Sequence, residues 1–132
     1  MKKIFLIVLV VFVVLVTGAY LAYDSIFPKA GPIKQLKLSE IDTIYIYNNN
    51  EIEIEMSDVE IEELFTYINV AEPTRRMSVN DYPSVRPYYV IEIESFDRYF
   101  RYMIYEENGE VYVELPYEGI YVMDAKAIAI LQ

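Results

Sequence analysis

Three groups of residues have types and spacing that lend themselves to chemistry. The first is Glu51, Glu53 and Glu55, alternating with Ile52, Ile54 and Met56. On a β-strand such a row sets carboxylates about 6.6–6.8 Å apart on one face. Glu92 and Glu94 on a neighbouring strand are expected beside them. A hard cation bridging two carboxylates is one reading, but calcium takes six to eight oxygen ligands from a folded loop, and no D-x-[DN]-x-[DN]-G series is present. A pair of carboxylates about 5–9.5 Å apart also suffices for a glycosidase. The plainer reading is a solvated strand face, and no metal or cofactor is assigned. The second group is Arg75, Arg76 and Arg86, with Asp81 and Tyr82 between them. A guanidinium offers planar bidentate donors and Tyr a rigid amphipathic ring, which makes this segment a candidate recognition edge. The alternative is that the arginines pair with Glu92 or Glu94.

Tyrosine is the third group, with 14 in the chain. Tyr45 and Tyr47 share a strand face, and Tyr88, Tyr99, Tyr102, Tyr105, Tyr112, Tyr117 and Tyr121 crowd the C-terminal part. Tyr is enriched in binding surfaces, yet aromatic pairs across strands also pack a thin sheet. Tyr117 lies within a turn at Pro116–Gly119 and Tyr121 just after it, and both are binding candidates with the structural alternative of packing back on the sheet. The chain has no His, Cys or Trp. That removes Ser-His-Asp and Cys-His nucleophile systems, thiol redox chemistry, disulfides and the usual zinc ligands.

The elements that position these residues follow from period and punctuation. Residues 41–47 (IDTIYIY) and 51–56 (EIEIEM) read as a hairpin turned by Asn48-Asn49-Asn50, with Ile52, Ile54 and Met56 facing the core. Ser57 and Glu60 form a capping box, and Ile61, Leu64, Phe65 and Ile68 follow at helical spacing, so a helix is predicted over 58–69. Residues 74–79 (TRRMSV) read as a short edge strand, and 80–87, with Pro83 and Pro87, as irregular. Strands are then predicted over 88–95 and 98–105, with a tight turn at Phe96-Asp97. Asn108-Gly109 supplies the positive φ of a type I′ turn into a strand at 110–115. Residues 120–123 pair briefly, and Asp124 caps a C-terminal helix. The order ββα(β)βββα predicts an α+β domain, an antiparallel sheet with one or two helices packed on it. Its expected core is Ile44, Ile46, Ile52, Ile54, Ile61, Leu64, Phe65, Ile68, Ile91, Ile93, Phe100, Ile104, Val111 and Val113.

Upstream, Ile4 to Tyr23 are 20 residues without a charge, preceded by Lys2 and Lys3. At a rise of about 1.5 Å per residue this helix spans the roughly 30 Å hydrocarbon core of a bilayer. The positive-inside rule puts the N-terminus in the cytoplasm and the rest outside. A cleaved signal peptide, with Thr17 and Ala19 at the cleavage site, is the competing reading and leads to a secreted domain. The division is therefore 1–23 as membrane anchor or signal segment, 24–38 as a Pro/Gly-punctuated stalk, and 39–132 as the extracytoplasmic domain. Residues 29–132 carry 9 basic and 20 acidic side chains, a net of −11. Such a field repels phosphate backbones, so no nucleic acid is expected, and it favours cationic partners.

The N-terminal anchor, TRRMSVNDYP (residues 74–83) and YVELPYEGIY (Tyr112 to Tyr121) resemble the small single-pass membrane proteins of Gram-positive bacteria that carry an extracytoplasmic domain of unknown function. The resemblance implies a surface-exposed α+β domain and supplies no catalytic residue. The expected role is a non-catalytic, membrane-anchored binding or accessory domain. Its expected partner is another envelope or membrane protein or a cationic peptide. A small carboxylate-dependent hydrolase, or an immunity or inhibitor protein against a cationic partner, are the alternatives.

Overall fold

Hydrophobic periodicity of two dominates after residue 40, and the sheet it builds organises the molecule. The computed structural model describes residues 2–96 and 98–132. Six strands, β1 (Thr43–Asn48), β2 (Glu72–Pro73), β3 (Tyr88–Ser95), β4 (Arg98–Glu107), β5 (Glu110–Leu115) and β6 (Gly119–Met123), pair antiparallel in the order β1-β3-β4-β5-β6-β2. Helices α2 (Asp58–Asn69) and α3 (Lys126–Leu131) complete an α+β fold, preceded by α1 (Lys2–Ile26).

Local chemistry explains the boundaries. The capping box that starts α2 is complete: the Ser57 side chain accepts from the Glu60 N–H, and the Glu60 carboxylate accepts from the Ser57 N–H at 2.8 Å. Asn108 and Gly109, at φ 56° and 82°, make the two-residue turn that sets Glu107 opposite Glu110. Asp124 Oδ1 accepts from the Lys126 N–H at 2.9 Å where α3 begins. Phe96 sits at φ 55° and is exposed, while Asp97 of the turn expected there lies outside the described residues.

Alternation gives the sheet two different faces. One packs against α2 and α3 through Ile46, Ile91, Ile93, Tyr102, Ile104, Val113 and Met123, with Leu64, Phe65, Ile68 and Leu131 from the helices. The other carries a smaller buried cluster of Tyr88, Val90, Met103, Tyr105, Tyr112 and Ile120, against which Val85 of the preceding loop packs. The expected core is largely present, but Ile52 is exposed, and Ile44, Ile54, Ile61 and Phe100 are only partly buried.

Three stretches differ from expectation. Residues 51–56 do not form the second strand of a hairpin. They lie along the free edge of β1 with one bridge, Tyr47 to Glu53, and bonds from Ile54 N–H to the Ile46 carbonyl (2.8 Å) and from Asn48 N–H to the Ile52 carbonyl (3.0 Å). Asn48 Oδ1 holds the Asn50 and Ile52 N–H groups and Glu51 takes φ 60°, so the chain curls at the turn, and α2 draws it away immediately afterwards. β1 finds its long partner in β3 instead, from Thr43 opposite Glu94 to Asn48 opposite Tyr89. The edge strand predicted over 74–79 is displaced to Glu72–Pro73, which pairs with β6. Finally, Ile33 and Leu36, in the stretch read as a stalk, are buried in the core, and the Ala30 N–H donates to the Thr74 carbonyl at 3.2 Å. Gly119 admits this path, since a Cβ there would collide with that of Ala30.

α1 is 25 residues long with a mean hydropathy of 3.0 over its most apolar window and no buried residue. By length and composition it qualifies as a membrane span, and a signal sequence passes the same test.

Candidate functional site

The strand registers bring the chemistry to the sheet face opposite the helices. Tyr45 of β1 faces Glu92 of β3, and Glu92 in turn faces Arg101 of β4. Glu92 Oε1 accepts three hydrogen bonds, from the Tyr47 hydroxyl at 2.8 Å and from Arg101 Nε and Nη2 at 3.1 and 2.8 Å. Arg101 Nη2 also donates to the Tyr99 hydroxyl at 3.1 Å. The guanidinium carbon lies 5.3 Å from the ring centre of Tyr82 and 5.7 Å from that of Tyr99, and Tyr82 leans on Tyr88 with centres 6.1 Å apart.

Ionisation follows from this network. Burial by itself would raise the Glu92 carboxyl, but donors from Tyr99, Tyr47 and Arg101 and the Arg101 charge outweigh it and hold Glu92 below the ordinary carboxylate range. It is therefore a poor proton donor near neutrality. Burial and the adjacent Glu92 push the Tyr47 hydroxyl up, so it remains a donor. Burial would also weaken the Arg101 charge, yet its bonds to Tyr99 and Glu92 keep it cationic.

Beside this network a groove of about 690 Å³ opens between the Asn48–Glu53 turn, β3 and Tyr82. Tyr45, Tyr47, Tyr82 and Tyr88 provide aromatic surface, and Glu51, Glu53 and Glu92 provide carboxylates. Tyr45 and Tyr82 are about half exposed, at 49% and 45%. Among the described residues Glu51 and Glu53 have no cationic partner. Aromatic faces bordered by unpaired carboxylates suit a cation, by cation–π attraction and charge together. The Glu51, Glu53, Glu55 row is not arrayed on a strand, and no three acidic side chains among the described residues converge on one point.

The arginine cluster is distributed rather than gathered. Arg75 pairs with Asp24, donates to the Phe27 carbonyl and lies 4.8 Å from the Tyr23 ring centre, all at the end of α1. Arg76 pairs with Glu107 at 2.6 Å and covers the Tyr112 ring. Arg86 lies 6.0 Å from the Tyr88 ring centre. The carboxylates they pair with are thus Asp24 and Glu107, not Glu92 or Glu94. Asp81 accepts from the Tyr117 hydroxyl at 2.9 Å. Tyr121 is buried and its hydroxyl donates to the Gly31 carbonyl at 2.8 Å. Of the seven binding candidates Arg75, Arg76, Asp81, Tyr82, Arg86, Tyr117 and Tyr121, only Tyr82 lines the groove, which otherwise draws on Tyr45, Tyr47 and glutamates of the other two groups. Arg101 is the residue that sequence reasoning passed over. The signal was the adjacency of the two strands predicted over 88–95 and 98–105: pairing them with Ser95 opposite Arg98 sets Glu92 opposite Arg101.

A further buried polar pair fixes the loop between β2 and β3 (residues 74–87), which covers part of this sheet face: Ser78 Oγ donates to Glu114 Oε1 at 2.7 Å and accepts from the Tyr117 N–H at 3.2 Å, with Ser78 and Glu114 each 5% exposed.

Comparison with known proteins gives two matches. Residues 29–122 match DUF5301, described as a domain of unknown function (DUF5300). The NMR structure of a protein from Ruminococcus gnavus is similar at 35% identity and a TM-score of 0.56, over 70% of this chain and 91% of that one. No curated protein matches the chain.

Proposed function

We propose that this chain, which belongs to the DUF5301 family, is a non-catalytic binding or accessory domain held at the outer face of a bacterial membrane by α1. Its groove receives a cationic segment of a partner, either a basic peptide or an exposed basic stretch of another envelope protein. The observation that carries this reading is the tyrosine-lined groove with Glu51 and Glu53 at its rim, neither with a cationic partner among the described residues, in residues 29–132 of net charge −11. The Tyr47–Glu92–Arg101 network supports it by fixing the groove floor before a ligand arrives, which lowers the ordering cost of binding. Lys2 and Lys3 before the apolar run, with the resemblance to single-pass Gram-positive proteins, support the orientation.

The test is fluorescence anisotropy of a labelled oligo-arginine peptide titrated with the full chain in nanodiscs of neutral lipid. Saturable binding is expected, weakening as salt rises, and Tyr45→Ala combined with Glu53→Gln should reduce affinity about tenfold. Binding that is indifferent to those substitutions, or that an oligo-glutamate peptide matches, overturns the reading.

A further inference from the structure

The covering loop that follows β2 has a second side, and it faces the end of the anchor. Arg75 holds three groups of the α1 terminus at once, the Asp24 carboxylate, the Phe27 carbonyl and the face of Tyr23. Ile26, Phe27 and Lys29 therefore line a shallow cleft of about 200 Å³ together with Met77 and Tyr117. A helix of 25 residues is about 37 Å long, against a hydrocarbon core of roughly 30 Å, so a spanning α1 sets its last turn at headgroup level. Whatever Arg75 ties to that turn lies at the same level.

The residues found there are the kinds that enter an interface. Met77, Val79 and Tyr117 are 78%, 63% and 66% exposed, although they are large and apolar or amphipathic. Tyr117 is aimed by its bond to Asp81 and by a backbone at φ 63°. Tyr20, Tyr23 and Phe27 continue the group along α1 as an exposed aromatic belt. Lys29 adds a cation without an acidic partner among the described residues. We infer that the loop carrying Met77 and Val79, with Tyr117 beside it, is a second membrane contact that seats these side chains at the headgroup–acyl boundary of the outer leaflet next to α1. The occupant is the lipid surface itself, because the Arg75 contacts and the Ala30–Thr74 hydrogen bond hold the loop beside the end of the span. The inference rests on the anchoring of α1 and is independent of the groove.

Because the chain has no Trp, single indoles report depth without background. The full chain is reconstituted into phosphatidylcholine–phosphatidylglycerol vesicles with and without lipids brominated high on the acyl chain, or deep on it for the span, using Met77→Trp, Tyr117→Trp, Phe12→Trp in the span and Val59→Trp on α2. Emission of M77W, Y117W and F12W should be blue-shifted and quenched about twofold, while V59W is unaffected. Quenching of F12W without M77W or Y117W removes the loop contact and leaves the anchor intact. No quenching of F12W removes the anchor and the contact with it. Equal quenching of V59W means that the domain lies down as a whole and refutes a contact specific to this loop.

Discussion

Glu92 receives three donors on one carboxylate oxygen while its side chain is only 20% exposed. Glu92→Gln keeps the shape but replaces an ionised acceptor with a weaker one and leaves Arg101 without its counter-charge. The expected loss of stability is about 1.5–3 kcal/mol at pH 7, the range for a hydrogen bond to a charged group, read from urea unfolding. The pH dependence has a definite sign. The folded-state pKa of Glu92 is lowered from 4.5, so its contribution is present above that value and is lost as pH falls through the lowered one. The variant should therefore show a flatter acid limb. An acid limb identical to the parent's would mean that the network contributes nothing to folding. Tyr47, Tyr102 and Tyr105 shift upward mainly through burial, so their stabilisation is present below the ordinary value of 10.0 and fades as pH rises beyond it.

Among the elements, α2 shows what a local code specifies and the 51–56 arm shows what it omits. Ser57 and Glu60 satisfy each other within one turn, and Asn108-Gly109 needs only its own dihedrals, so both are legible in sequence. The Glu-Ile alternation reports that one side of a segment is drier than the other, but not which strand it meets. The long partner of β1 lies more than 40 residues away in β3, a choice made by packing against α2 and the rest of the sheet. The same limit applies to 27–37, where Pro28 and Pro32 bar a continued helix but are silent about Ile33 and Leu36 being buried. It applies to the arginines too, whose partners Asp24 and Glu107 are distant in sequence. The arm gives a clear contrast. Ile52→Asp, at a side chain 60% exposed, should change stability by under about 0.5 kcal/mol, whereas Ile54→Asp, packed on the core, should cost about 2–3 kcal/mol. Equal melting temperatures for the two variants would contradict the observed arrangement of the arm.

At the scale of the whole molecule, charge and hydropathy are arranged along one axis. Lys2 and Lys3 precede the apolar helix, and the acidic domain follows it. Keeping Lys2 and Lys3 on the inner side while the rest of the chain crosses is the orientation that the positive-inside rule favours, since that rule counts the basic residues beside the span. On the proposed topology the Arg75 contacts hold the domain close to the bilayer, with the groove on the sheet face opposite the helices. Because the chain has no Cys, the arrangement can be read with single thiols. Val59→Cys, 71% exposed on α2, should react with a membrane-impermeant maleimide on intact cells. Lys2→Cys should react only after permeabilisation. Labelling in the opposite order would invert the topology. Reaction of V59C in the medium, with no thiol recoverable on the domain of K2C after lysis, would show that the N-terminal segment has been cleaved. In that event the loop at Met77 has no anchored helix beside it, and the groove alone remains to hold a partner.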